Sequence, residues 1–384
     1  MKALIHYSEI GLKGLNRDFF EDKLLENIRE ALTHAKVKAR VEREHGRINC
    51  EFGEKDKGKC EVALKKVFGI KYFAFAEDAP LSEKGILDGA EVLLKNLKKN
   101  GAKKIASVAK RSDKNFALDS NELNKKIGTL AVKLGFGIDL DNPDARIFTE
   151  ITSKRAYLYI EKISGLAGLP VGSSAKTLCL FSGGIDSVVA AFLMMKRGSH
   201  VDFLHFHALR DGKEVLNSKI KKLIESLNAY QTSSELYIAP YHTFQLEIGR
   251  KVDERVELVL FRNFMLRIAQ EIALRDGYSA IITGDSLGQV ASQTGENLLA
   301  ANFGVEIPVF RPLISFDKDE IIEIARKIGT FDLSVEKYKD CCSIISRKPA
   351  TAVRPEKFRK ELSKVDLQGI IAKTLEEIEV QKIT

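Results

Sequence analysis

The chain has 384 residues, 44% hydrophobic and 30% charged, with 27 glycines and 8 prolines. That composition predicts two or three cored domains and excludes collagen-like, low-complexity and disordered classes. The net charge is +8, from 61 Lys and Arg against 53 Asp and Glu; residues 1–175 hold 32 against 25 and residues 176–384 hold 29 against 28, so the basic excess sits in the first half.

The longest apolar run, residues 188–195, is too short for a bilayer, and the N-terminus lacks the apolar core of a secretory signal. The five cysteines (Cys50, Cys60, Cys179, Cys341 and Cys342) form no even disulfide framework, so reduced thiols and a cytoplasmic location are expected.

Residues 2–7 read as a strand, followed by a helix that Asn16 would cap and whose apolar face is Phe20, Leu24, Ile28 and Leu32. Residues 37–43 and 47–52 read as a hairpin turning at His45 and Gly46, then a helix at 60–68 and a strand at 71–76. That βαββαβ order predicts a ferredoxin-like domain over residues 1–77. Residues 78–165 form a second α/β unit: a helix at 83–100 ended by Gly101, a strand at 104–110, a helix at 121–134 capped by Ser120, and strands at 146–152 and 155–163. The small, glycine-rich residues 166–176 read as a linker. From residue 177 to 384, buried strands (177–181, 201–207, 236–239, 280–283) alternate with helices near 187–197, 217–227, 252–276 and 318–328, predicting a doubly wound parallel sheet.

Residues 92–114 carry eight basic side chains against one acid, including Lys103, Lys104, Lys110, Arg111 and Lys114. Such a cluster fits a polyanion-binding surface. The segment 177–198 joins a buried strand to a helix through Ser182-Gly183-Gly184, with Asp186 and Ser187 at the helix start. Glycines let the backbone approach a ligand, and free N–H groups at the helix start cradle an anion. The loop has no Gly-Lys-Ser/Thr, so it is not a Walker A loop. His205 and His207 are separated by one strand residue with no acids nearby, and no metal site is expected there.

The hexapeptide 182–187, Ser-Gly-Gly-Ile-Asp-Ser, resembles the signature of the PP-loop ATP pyrophosphatases. Residues 8–20, SEIGLKGLNRDFF, resemble the opening GEIxLKGxNRxxF of the tRNA 4-thiouridine synthetases (tRNA sulfurtransferases), with Ser8 in place of glycine. Residues 108–124 resemble the core of a THUMP RNA-binding domain, residues 283–294 that family's TGDSLGQVASQT motif, and residues 340–346, DCCSIIS, its active-cysteine segment. The resemblance is collinear over essentially the whole chain. It implies a ferredoxin-like domain, a THUMP domain at 78–165, and a PP-loop ATP pyrophosphatase domain at 177–384.

The implied reaction adenylates a tRNA uridine O4 with ATP and Mg²⁺, then replaces the oxygen with sulfur from a cysteine persulfide. Carried over position by position, Ser182, Gly183, Gly184, Asp186 and Ser187 would contact phosphate. Leu180, Phe181, His205 and Phe206 would hold adenosine, while Arg262, Gly284 and Gln293 match further ATP-binding positions. Lys318 would neutralise phosphate charge and Cys342 would carry the sulfur. A cysteine desulfurase or another persulfide donor is the implied partner, and a homodimer is left open.

Only 42 residues follow Cys342, too few for the C-terminal rhodanese domain of some members, so the sulfur relay is expected to differ here. The family's association with thiamine thiazole synthesis is left open for the same reason. With no CxxC pair and two clustered thiols, an iron–sulfur cluster is not expected. Two other readings compete: a PP-loop amidotransferase or ligase acting on a small carboxylate, and a non-catalytic RNA-binding protein. Neither accounts for the basic first half together with intact Ser182–Ser187, Lys318 and Cys342.

Placing tRNA recognition in residues 1–175 makes a testable prediction. Changing Lys110 and Arg111 together to alanine should weaken tRNA binding while leaving ATP binding intact, and the loss should shrink as salt rises. Filter binding of tRNA and nucleotide at two salt concentrations reads both.

Overall fold

A computed structural model describes all residues except 45, 114, 115, 250, 340, 342–344 and 346–349. The chain divides into two compact units, Met1–Gly168 and Leu169–Thr384.

Unit 1 begins with β1 (Lys2–Tyr7), α1 (Arg17–His34), β2 (Ala39–Glu44), β3 (Arg47–Phe52), α2 (Lys57–Leu64) and β4 (Ile70–Ala79). Strand order β2-β3-β1-β4, all antiparallel, is the expected ferredoxin-like arrangement. Asn16 stands at the start of α1, but its side chain makes no capping hydrogen bond. The expected apolar face of α1 holds in Leu24, Ile28 and Leu32, which pack with Leu64 and Phe73 in one core. The hairpin turn includes His45, which lies outside the described residues.

The unit continues with α3 (Glu83–Lys99), β5 (Lys104–Arg111), α4 (Ser120–Lys133), β6 (Gly137–Ile138), β7 (Ala145–Ile151), β8 (Ala156–Tyr159) and β9 (Ile163–Ser164).

 

The helix over 120–133 is capped by Asp119 rather than Ser120: the Asp119 carboxylate accepts from the Glu122 backbone N–H while the Glu122 carboxylate accepts from that of Asp119. Strand β4 serves both halves of the unit. Its first residues pair with β1 and its last three, Glu77 to Ala79, pair with β8, which spans Ala156–Tyr159, so a single nine-stranded sheet runs through the unit. Helices α3 and α4 bury Ile86, Leu94, Leu123 and Ile127 against Ile105, Ile147 and Leu158.

Unit 2 contains β10 (Lys176–Leu180), α5 (Ile185–Lys196), β11 (His200–His207), α6 (Lys213–Leu216), α7 (Lys219–Asn228), β12 (Ser234–Pro240), α8 (His242–Ile248), α9 (Glu254–Asp276), β13 (Ala280–Ile282), α10 (Gly295–Ala301), β14 (Val309–Phe310), α11 (Lys318–Lys327), α12 (Phe331–Val335), α13 (Pro355–Leu362), α14 (Leu367–Glu377) and β15 (Glu379–Ile383). The sheet order is β14-β13-β10-β11-β12-β15. The first five strands are parallel, as the apolar strand runs predict, and β15 adds an antiparallel edge that those runs did not signal. Only one of its five residues, Ile383, is buried, so its sequence carries little apolar pattern.

Strand β10 lies between β11, the next strand in the chain, and β13, reached after two further crossovers. The chain therefore reverses its winding direction at β10. In open α/β sheets such a reversal leaves a crevice outside the carboxyl ends of the strands, where ligands bind.

Candidate active site

The crevice is present. A cavity of about 430 Å³ lies at the carboxyl ends of β10, β11 and β13, lined by Leu180, Phe181, Ser182, Asp186, Ser187 and Phe206 among others. Its remaining wall includes Arg262 and Met265 of α9, the loop residues Gly284, Asp285 and Gln293, and Cys341. That volume lies within the range of ligand clefts, and the wall combines apolar side chains with a few polar and charged ones.

Backbone geometry at two glycines builds the corner of the cavity at the start of α5. Gly183 has φ +74°, and a Cβ there would stand 2.3 Å from Ile220 Cδ1, so only glycine turns here without displacing α7. Gly284 lets the loop after β13 press against the start of α5: a Cβ there would lie 2.8 Å from both Asp186 C and Ser187 N. Helix α5 begins at Ile185 after Gly184, with no side chain capping it. Its first amides, with the helix dipole behind them, therefore face the loop as an anion site.

Charged groups converge on the same corner. Lys318 opens α11, whose start is fixed by a reciprocal capping pair of Asp317 and Glu320. Its Nζ lies 2.7 Å from one oxygen of Asp186, while Gln289 Nε2 donates to the other at 3.0 Å. Arg262 donates through Nη1 to the Ser292 carbonyl at 2.9 Å and through Nη2 to the Asp285 carboxylate. Asp285 also accepts from Thr283 Oγ1 at 2.8 Å and from Arg311 Nε at 3.1 Å. Burial pushes the Asp285 carboxyl up, but Arg262, Thr283 and Arg311 outweigh it and hold the group below the usual carboxylate range. Gln293 lines the cavity, and its Oε1 has no hydrogen-bond partner among the described residues.

Of the residues expected at the nucleotide, Leu180, Phe181, Ser182, Asp186, Ser187, Phe206, Arg262, Gly284 and Gln293 line this cavity, Gly183 and Gly184 make the turn, and Lys318 meets Asp186. His205 does not line it. Its ring is 1% exposed and lies behind the wall, with Nδ1 2.7 Å from the Phe181 carbonyl and Nε2 2.8 Å from Tyr338 Oη. Successive strand residues point to opposite faces, so Phe206 and His205 cannot both face the cavity. Cys342 and Lys114 lie outside the described residues.

Asp285, Arg311, Gln289 and Cys341 had no assigned role from sequence. Asp285 and Gln289 stand inside the 283–294 motif and Cys341 beside Cys342, so the signal was present, whereas nothing local points to Arg311. In unit 1, Lys103, Lys104 and Lys110 are exposed on or beside β5, with Lys104 paired to Asp139 at 3.0 Å. Arg111 is half-buried and donates to the carbonyls of Phe116 and Leu118, so it also holds the following loop.

Comparison with known proteins follows this geometry closely. Residues 2–74 match the ThiI ferredoxin-like domain, 82–161 the THUMP domain, and 172–367 the family described as Thiamine biosynthesis protein (ThiI). A protein of Caldanaerobacter subterraneus named "Probable tRNA sulfurtransferase" is 41% identical over 98% of both chains. The chain belongs to the tRNA sulfurtransferase family. A relative from Listeria monocytogenes with the same name is 37% identical over 98% of this chain and 94% of its own. A crystal structure of a 4-thiouridine synthetase–RNA complex with bound ATP, 31% identical, superposes with a TM-score of 0.88 over 100% of this chain and 99% of that one. Among the described residues, no group of three or more His, Cys, Asp or Glu is placed to hold a metal ion, and no helix is long and apolar enough to cross a membrane.

The buried His205 makes stability depend on pH. Burial pushes its pKa down from 6.5 to about 4, His207 and Lys219 add to this, and the Phe181 carbonyl opposes it. The unfolded chain takes up this proton below about pH 6.5 and the folded chain only near pH 4, so stability present above 6.5 is lost as pH falls through that window. Between pH 7 and 4.5 the loss should be about 2 kcal/mol smaller for His205→Asn than for the wild type, read by urea unfolding at both pH values.

Proposed function

We propose that this chain is an ATP-dependent tRNA sulfurtransferase that converts a uridine of tRNA to 4-thiouridine. One observation carries the proposal: the Ser182–Ser187 loop, the 283–294 segment and Cys341, the neighbour of Cys342, all line or border one cavity. Nucleotide chemistry and sulfur chemistry thus share a site. The family membership and the likeness to a synthetase bound to RNA and ATP support the same reading.

The apolar wall of Leu180, Phe206, Leu258 and Met265 suits adenine, and Gln293 Oε1 can accept from its amino group. The amides at the start of α5 would hold the leaving pyrophosphate. Lys318 and Arg262 would balance charge as the uridine O4 attacks the α-phosphorus and the bond to pyrophosphate breaks. Asp285, between Arg262 and Arg311, fixes the direction in which Arg262 points.

Asp186 is the residue that would hold Mg²⁺. It is a partly exposed carboxylate at the loop, paired with Lys318 and Gln289, and one carboxylate together with substrate phosphates is a fitting donor set for that ion. When bound, the ion neutralises phosphate charge.

Adenylation turns O4 into a leaving group. The terminal sulfur of a persulfide on Cys342, loaded by a cysteine desulfurase or another donor, then adds to C4 and AMP departs with the oxygen. The sulfur is at that stage still joined to the carrier by an S–S bond. A second thiolate cleaves it, releasing the thiouridine and leaving a disulfide that an external thiol reduces. Cys341 and a soluble thiol are the two candidates for that thiolate. A reaction on tRNA and ATP suits the cytoplasm, and the basic residues of unit 1 would engage tRNA phosphates.

The test supplies tRNA, ATP and a persulfide-loaded desulfurase, and reads pyrophosphate release and thiouridine absorbance. Asp186→Ala should lose pyrophosphate release by about 10²-fold or more with tRNA affinity retained. Cys342→Ser should release pyrophosphate and make no thiouridine. Pyrophosphate release independent of RNA would favour a ligase on a small carboxylate, and binding without turnover a non-catalytic RNA-binding protein.

A further inference from the structure

The segment that leads into the cysteines is tied to the nucleotide loop by buried and partly buried polar contacts. At its start, the ammonium of Lys219 donates to the carbonyl oxygens of Ser334 at 2.7 Å and Glu336 at 2.9 Å. The stem of the same lysine passes under the phosphate turn: its Cε stands 3.6 Å from where a Cβ on Gly183 would be. Two residues further along, Tyr338 Oη lies 2.8 Å from His205 Nε2, and His205 Nδ1 lies 2.7 Å from the carbonyl of Phe181, the residue before Ser182. At the end, Cys341 Sγ donates to the Phe206 carbonyl at 3.4 Å, one residue beyond His205 on β11.

Hydrogen-bond directions follow from the partners. The Phe181 carbonyl can only accept, so His205 carries its proton on Nδ1 and its Nε2 accepts from the Tyr338 hydroxyl. The imidazole is thus a two-ended connector, held uncharged by burial, between the end of β10 and Tyr338. Neither the His205 nor the Tyr338 ring lines the nucleotide cavity.

We infer that His205 and Tyr338 are positioning residues for sulfur transfer, forming a strut that sets the cysteine segment by the position of the nucleotide loop. The inference rests on the function proposed above. Through the strut, a shift of the Phe181–Ser182 backbone is passed to Tyr338 and so to the residues before Cys341. Tyr338 and Cys341, which precede Cys342 in sequence, are thereby held in register with the phosphate loop during the second half of the reaction, when small displacements cost rate.

Single-turnover measurement of both half-reactions tests this. Tyr338→Phe removes only the hydroxyl. Its pyrophosphate release should stay within about twofold of wild type, while thiouridine formation slows by about tenfold even with saturating persulfide donor. His205→Asn keeps a donor towards Phe181 and removes the acceptor for Tyr338, so it should slow the sulfur step similarly. The double variant should be no slower than the worse single one, because both break the same bond. Thermal melts confirm that each variant is folded. Parallel losses in both half-reactions would overturn the inference in favour of a general structural role, and an unimpaired sulfur step in folded variants would overturn it outright. Wild-type protein that makes no thiouridine would instead overturn the proposed function, and this inference with it.

Discussion

The site depends on how closely two stretches of backbone can lie together. Gly284, just after β13, packs its Cα against the peptide joining Asp186 and Ser187, at a distance where any side chain would meet main-chain atoms within 3 Å. A clash with backbone cannot be relieved by a rotamer change, so the contact tolerates only glycine. It sits where the sheet reverses its winding direction, between β10 and its non-sequential neighbour β13. Because the two strand ends meet there, the 283–294 loop can supply Gln289 to Asp186 and Asp285 to Arg262.

Electrostatics then orders what the backbone brings together. Asp285 is almost wholly buried, and an unpaired carboxylate there would be costly. Two arginines and a threonine hydroxyl satisfy it, and it in turn removes the freedom of Arg262 to turn away from the cavity. A buried pair of this kind is weak evidence of net stability, since desolvation offsets much of the attraction. Its value here is orientation. Asp186 and Lys318 form a more exposed pair at the loop, where solvent screens the attraction.

The two units differ in electrostatic character. Unit 1 carries nearly all the basic excess, with exposed lysines around β5, and a polyanion is held mainly through such charges. Unit 2 is close to neutral overall, and Asp186, Arg262 and Asp285 are the charged side chains among the described lining of its cavity. The single sheet of unit 1, with β4 shared between its two halves, gives the basic strand β5 a rigid base on which to be presented.

Local sequence determined a large part of this protein. The strand–Gly-Gly–helix turn, the βαββαβ order, the buried strands of unit 2 and the residues of the nucleotide loop were all legible, because each is written in neighbouring residues through hydrophobic period or glycine placement. Other features were decided only when distant segments met. The edge strand β15 has almost no buried face, so no pattern announced it, and its place is set by pairing with β12. The cap at Asp119 was missed by one residue because Ser120 is an equally good local candidate, and helix register chose between them. His205 was expected at adenosine from its position beside Phe206, yet strand alternation turns it the other way, to Phe181 and Tyr338, which stand 24 and 133 residues away in sequence. Arg311 reaches Asp285 across 26 residues. Partnerships of this range depend on which face of a strand or helix packs inward, and that is settled by the assembled core.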